Sequence, residues 1–480
     1  MTIQNQQPQQ AFIPPSNTPS DMPSEPPMPA SPLPTEEYRE RSLDAIKLVP
    51  ASSSRRRKRR RRRAPLVAFL LLLTGLIGIA SFFAPRFFET TGGSGTRSVP
   101  GVTPGGPFVR PPLSSTQVEA IMHLSGYMKY KALASLYVSH MTLDEELGQL
   151  IMVEYADTYY SPDLNTMINT LHAGGVIMYE FQMQTLTQTK HDIAAMQQNA
   201  SIPLLISTDE EGGPYVHRLS NIYGLRMSAT QIADTGDVNV AAQQGAKAAH
   251  DLLSLGINEN LAPDVDVNLV NGYDMVTRTF GNTPQSVIEF ASAYIKSLQG
   301  AGVVGCIKHF PGLGDAITDA HTSLPVVNQT KAQIYSIDLA PFKAFIQSPD
   351  ALENPGMIMP TDVLMPAIDH VYPAELSHTF MTDILRNEFG YDGVALTDAL
   401  YMQGVTEKWD MNTAAVMALN AGNDMILGPT GAGQMLSMIN AFKAALQNGT
   451  LLKSRVDEAA TRIIALKMEY HLMPATPPQD

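Results

Sequence analysis

Between residues 149 and 428, eight short apolar runs alternate with longer segments of helical spacing. The runs are QLIMVEY (149–155), GGVIMYEF (174–181), PLLISTD (203–209), LAPDVDV (261–267), GVVGCIKHF (302–310), GMIMPTD (356–362), GVALTD (393–398) and NDMILG (423–428). Segments 238–256, 284–300 and 377–389 are each long enough for a crossover helix. Strands that read as nearly continuous apolar runs, with helices between them, belong to a parallel sheet covered on both faces. Eight such units predict an α/β fold of the (β/α)8 barrel type, with a doubly wound open sheet as the competitor. Most of the runs end in functional side chains: Glu154, Glu180, Asp209, Asp266, Lys308 with His309, Asp362 and Asp398. In a (β/α)8 barrel those ends converge on one face, where active sites are built. Any single Asp there could equally cap a helix.

The remainder of the 480 residues is organised differently. Residues 1–85 hold 12 Lys/Arg against 6 Asp/Glu, whereas residues 86–480 hold 21 against 40. The acidic body repels phosphate backbones, so nucleic-acid binding by the folded part is not expected. Residues 1–35 are rich in Pro, Ser and Gln and carry too little apolar surface to offset the entropy of ordering. Arg55 to Arg63 form an unbroken basic run, and no residue from Ala64 to Pro85 is charged. At 1.5 Å per residue that stretch suffices to cross a bilayer core of about 30 Å.

A basic run stays on the cytoplasmic side. Residues 1–63 are therefore expected to be a disordered cytoplasmic tail, 64–85 a transmembrane anchor, 86–114 a flexible linker, and 115–475 an extracytoplasmic barrel. A nuclear-localisation tail and a cleaved signal peptide are the weaker alternatives. The only cysteine, Cys306, excludes a disulfide framework within the chain and a Cys-based metal site, and is expected to be a buried packing residue.

The densest polar cluster is KHFPGLGDAITDAH, residues 308–321. Two glycines and a proline after a strand allow close approach of backbone to a ligand, and Asp319 can hold His321 in one tautomer. No Lys-Ser/Thr follows Gly312 and Gly314, so this is not a P-loop. The segment resembles the signature of glycoside hydrolase family 3, in its single-domain branch of β-N-acetylglucosaminidases. DEEGG (209–213), NLAPDVDV (260–267), RTFG (278–281) and GVALTDALYM (393–402) follow the order of that family, over roughly residues 137–470.

The resemblance implies that Asp398 is the nucleophile of a retaining reaction through a covalent glycosyl-enzyme. It further implies that His321, paired with Asp319, is the acid and base, and that Asp209, Arg278, Lys308 and His309 bind hydroxyls of the terminal sugar. An imidazole suits that double role near neutrality. Few residues follow 470, so the acid is expected from within the barrel. The implied function is exo-hydrolysis of terminal β-GlcNAc from cell-wall fragments or related glycans, by a membrane-held monomer without metal or organic cofactor.

A β-glucosidase or β-xylosidase of the same family and a non-catalytic glycan-binding module are the alternatives. Transfer of the sugar to phosphate is left open. Four positions depart from the pattern: Leu313 and Asp362 stand where the branch has His, Ala320 where it has Ser, and Pro214-Tyr215 lengthens the segment after DEEGG.

Overall fold

The computed structural model describes residues 127–475, apart from 271, 273, 274 and 319–322. The expected tail, anchor and linker lie outside the described residues, as do Asp319 and His321. Ten strands occur: β1 (Ile151–Val153), β2 (Gly175–Ile177), β3 (Leu205–Thr208), β4 (Glu210–Gly212), β5 (Val216–His217), β6 (Glu259–Asn260), β7 (Val304–Phe310), β8 (Met357–Pro360), β9 (Val394–Ala399) and β10 (Met425–Leu427). Eight of them close a barrel in the order β1-β10-β9-β8-β7-β6-β3-β2, and every pairing in it is parallel. The expected (β/α)8 arrangement is therefore present. β4 and β5 form a small antiparallel hairpin on the end of β3.

Six barrel strands fall inside the apolar runs, and β9 overruns its own by one residue, Ala399. The fourth does not: β6 is Glu259–Asn260, ahead of the expected 261–267, which keeps only an isolated bridge from Asp264 to Lys308. Pro263 has no N–H to offer a ladder. The polar sequence Asn258-Glu259-Asn260 pairs well for another reason. Asn258 Oδ1 accepts from Ile206 N at 2.9 Å while its Nδ2 donates to Leu204 O at 3.0 Å, and Asn260 does the same to Glu210 at 2.9 and 3.1 Å. Each amide side chain thus stitches β6 to the β3 side.

Two crossover helices are as expected. Val238–Leu255 begins where the Asp237 side chain accepts from Asn239 N and ends at Gly256, with φ of 92°. Pro284–Gly300 begins behind the Thr283 cap with Pro at its first turn. The third, expected over 377–389, is wound as a π-helix, Thr379–Glu388. Cys306 is fully buried, as expected, and burial pushes its thiol up.

The barrel floor contains an ionisable pair. Lys467, fully buried on the last helix (Lys453–Glu469), donates to Gln149 Oε1 at 2.7 Å and to Gly174 O at 2.8 Å. Burial pushes it down to about 7. Glu259, fully buried on β6, has no hydrogen-bond partner on either carboxyl oxygen among the described residues, and burial pushes it up to about 8. Both groups thus favour their neutral forms. Because the folded pKa of Glu259 lies above its unfolded value, its contribution to stability is complete below the ordinary Glu range and is lost as pH rises through 8. Glu259→Gln removes that loss. Thermal unfolding should show variant and native chain melting together near pH 4.5, with the variant higher by on the order of 5 °C at pH 8.5. Parallel curves across that range would show that Glu259 does not titrate this way.

Candidate functional site

Asp209 and Glu211 alternate along the extended chain that leaves β3, so both face the barrel mouth, while Glu210 points the other way. Glu210 is fully buried and accepts from His217 Nδ1 at 2.7 Å and from Leu219 N at 3.0 Å, which anchors the hairpin. Gly212 and Gly213 turn that hairpin at φ of 92° and 73°, and a Cβ on Gly212 would meet the Met227 carbonyl oxygen at 2.5 Å. Only glycine fits there without strain.

Glu211 then holds two cations, Arg278 from the loop after β6 and Lys308 from β7. Its carboxylate accepts from Arg278 Nε at 2.8 Å, from Arg278 Nη2 at 2.8 Å and from Lys308 Nζ at 2.8 Å. Lys308 Nζ also donates to Asp209 Oδ1 at 2.6 Å. Burial alone would raise Glu211, but Arg278 and Lys308 hold it well below the usual carboxylate range. Burial opposes the charge on Lys308, yet Asp209 and Glu211 hold its pKa above the ordinary lysine value. The sequence points to Asp209, Arg278 and Lys308 but does not single out Glu211. The period-2 spacing from Asp209 was the available signal.

His309 is fixed from the other side. Its Nδ1 lies 2.7 Å from Asp266 Oδ2, and its Nε2 lies 3.2 Å from Arg278 Nη2. An arginine can only donate, so Nε2 accepts and Nδ1 carries the proton toward Asp266. Asp266 Oδ1 also accepts from Leu313 N at 2.7 Å, so one carboxylate sets both the His309 ring and the following loop. Gly314 packs so tightly on this loop that a Cβ would overlap the Val267 carbonyl. The Lys308–His309 peptide bond is cis.

Asp264, Asp266 and His309 are the one group with metal-ligand spacing among the described residues, their donor atoms lying within 4.8 Å of one another. Arg278 Nε stands 3.8 Å from Asp264 Oδ2 and brings a positive charge to that carboxylate. Burial, then the neighbouring Asp266, raises Asp264 well above the carboxylate range. The cluster works as a hydrogen-bonded support for His309.

Asp398 lies near the end of β9, partly exposed. Thr361 Oγ1 donates to its Oδ2 at 3.0 Å and Ala399 N to its Oδ1 at 2.8 Å. Behind it is a buried acidic layer. Asp362 is fully buried beside Thr361, and its carboxyl group occupies the space that any side chain on Gly404 would need. Glu375, also fully buried, has no hydrogen-bond partner on either carboxyl oxygen among the described residues. Burial, followed by the charges of Asp362 and Asp398, raises it well above the carboxylate range. No sequence signal marked Glu375.

The remaining strand-end acids divide. Glu154, at 7% exposure, accepts from two tyrosines and faces Asp209 and Asp398. Glu180 turns outward to Arg218 at 3.2 Å, and Arg218 also lies over the Tyr179 ring. The structure therefore joins Asp209, Arg278, Lys308 and His309 in one network, with Asp398 at the same mouth.

Three comparisons bear on this arrangement. Residues 142–466 match the model of the glycosyl hydrolase family 3 N-terminal domain. The chain is similar to β-hexosaminidase A of Pseudoalteromonas piscicida, 30% identical over 68% of this chain and 61% of that one. It is also similar to an uncharacterized secreted glycosyl hydrolase of Arthroderma benhamiae, 31% identical over 71% of this chain and 98% of that one. Among solved structures, a family 3 β-N-acetylglucosaminidase from Paenibacillus sp. str. FPU-7 aligns with a TM-score of 0.66 and 32% identity, covering 69% of this chain and 63% of that one. The chain thus spans under two thirds of the length of the first and third of these proteins. With the matched domain covering most of the barrel and the strand-end residues in place, the chain belongs to glycosyl hydrolase family 3.

Proposed function

We propose that this protein is a retaining exo-β-N-acetylglucosaminidase that hydrolyses terminal GlcNAc through a covalent glycosyl-enzyme. The observation that carries the reading is Asp398: a partly exposed carboxylate at a barrel strand end, held by Thr361 and the Ala399 N–H, beside a buried network of sugar-binding type. Asp398 attacks the anomeric carbon as the bond to the leaving oxygen breaks. His321, held by Asp319, gives its proton to that oxygen and then takes one from the water that releases the sugar. Asp209, Lys308, Arg278 and His309 grip hydroxyls of the terminal ring, and the Glu211 bridge keeps their donors pre-aimed. The choice of GlcNAc is supported by relatives named β-hexosaminidase.

Release of p-nitrophenol from the β-GlcNAc, β-glucoside and β-xyloside should favour GlcNAc. Asp398→Ala should lower kcat on the order of 10⁴-fold. His321→Ala should lower it about 10²-fold or more, and more for a sugar leaving group than for nitrophenol. Native-like turnover by Asp398→Ala would sink the nucleophile assignment, and faster turnover of glucoside or xyloside would change the sugar.

We also propose that residues 64–85 anchor the enzyme in a membrane with residues 1–63 cytoplasmic, from the uncharged apolar stretch that follows the Arg55 to Arg63 run. Among the described residues no helix is long and apolar enough to cross a membrane, so the proposal rests on 64–85 alone. Expressed in full, the protein should sediment with membranes and resist carbonate extraction, and deletion of 1–85 should release it. Recovery of the full chain in the carbonate supernatant would contradict the anchor.

A further inference from the structure

Glu154 follows directly on β1 and has no part in the chemistry above. It is nearly fully buried, and among the described residues no cation pairs with it. Two phenols converge on the same carboxyl oxygen: Tyr179 Oη donates to Oε1 at 2.8 Å and Tyr401 Oη at 3.0 Å. Tyr179 comes from the end of β2 and Tyr401 from the turn after Asp398, so the carboxyl group is clamped from both sides. Both bonds go to Oε1; Oε2 takes none from a described residue and keeps contact with solvent. Burial raises Glu154 despite the two phenols, and the charges of Asp209 and Asp398 add to the rise. A carboxyl group near Asp209 and Asp398, with one oxygen unclaimed by the protein and open to solvent, can accept a hydrogen bond from a ligand.

The barrel order says which part of a sugar would reach it. Starting from Asp398 on β9 and passing β8, the mouth presents Lys308 and His309 on β7, Arg278 after β6, Asp209 after β3, then Glu154 after β1, and returns through β10 to β9. A pyranose has the same circular order: C1, then the substituents of C2, C3 and C4, then C5 with its hydroxymethyl arm, then the ring oxygen and C1 again. With C1 at Asp398 and the C2 to C4 substituents toward Lys308, His309, Arg278 and Asp209, the C5 edge falls on the β1 side.

We infer that Glu154 is a substrate-binding residue that holds the exocyclic hydroxymethyl group of the terminal sugar through Oε2, with Tyr179 and Tyr401 fixing the carboxyl group from behind. The inference rests on the proposed role of Asp398. A sugar with the 6-hydroxyl gives Oε2 a hydrogen bond in place of water, and a seated sugar without it takes the water's place and leaves that oxygen unmatched. Sites of this kind discriminate strongly against the analogue lacking the group.

The test uses the full chain with p-nitrophenyl β-GlcNAc and its 6-deoxy analogue, for the native protein, Glu154→Leu and Glu154→Gln, with thermal melts to confirm folding. The native enzyme should prefer the 6-hydroxy substrate by about 10- to 100-fold in kcat/KM. Glu154→Leu should lose roughly that factor on the 6-hydroxy substrate and less than about threefold on the 6-deoxy one. Glu154→Gln keeps an acceptor for both phenols and should show a smaller loss, again confined to the 6-hydroxy substrate. It carries the comparison if the leucine variant does not fold. Equal losses on both substrates, with the native preference retained, would overturn the assignment while leaving the proposed function intact. Failure of the native enzyme to turn over either substrate would remove the proposed function and this inference together.

Discussion

The Glu211 carboxylate is the interaction on which the site depends. It bonds Arg278 through two nitrogens and Lys308 through one, at 2.8 Å each, and it joins the hairpin after β3, the loop after β6 and strand β7. Two cations brought into a water-poor barrel mouth need a counter-charge, and removing one partner from such a buried set is far worse than never having built it. With Glu211 in place, Lys308 reaches Asp209 and Arg278 reaches His309. Asp266 then completes the frame by fixing the other nitrogen of His309 and the Leu313 N–H of the next loop. Each donor is aimed before a ligand arrives, which is the condition for hydrogen bonds to strengthen toward a transition state.

The opposite wall is built on a contrast between carboxyl groups. Asp398 receives hydrogen bonds from Thr361 and the Ala399 N–H and is partly exposed. Glu375 behind it is fully buried, receives none among the described residues, and is pushed up by burial and by the charges of Asp362 and Asp398. The hydrogen-bonded one, Asp398, is the one that faces the cleft.

The barrel was legible because seven of its eight strands are short apolar runs bounded by helices, and burial on both faces demands that pattern. The fourth strand was misplaced because its ladder is made by Asn258 and Asn260, whose side-chain amides bond the β3 side, and polar residues break the apolar signal. Asp209, Lys308 and His309 are legible as polar strand ends and Arg278 through a family resemblance, and the structure joins them in one network. Glu211 was in plain view within DEEGG, but three adjacent acids can be sorted only once the extended conformation alternates them. Glu375 depends on tertiary burial and has no local signature. Of the departures, Leu313 contributes its backbone N–H to Asp266 in spite of its apolar side chain, and Asp362 supplies charge to the buried layer behind Asp398.

In the proposed reaction Asp398 forms a covalent bond to the sugar. Incubation with an activated 2-deoxy-2-fluoro glycoside, which slows hydrolysis of a glycosyl-enzyme more than its formation, followed by intact-mass and peptide mass spectrometry, tests it most directly. The expected result is a single added fluorosugar on the peptide containing Asp398. An adduct on a different carboxylate, or steady turnover of the reagent with no adduct, would contradict it.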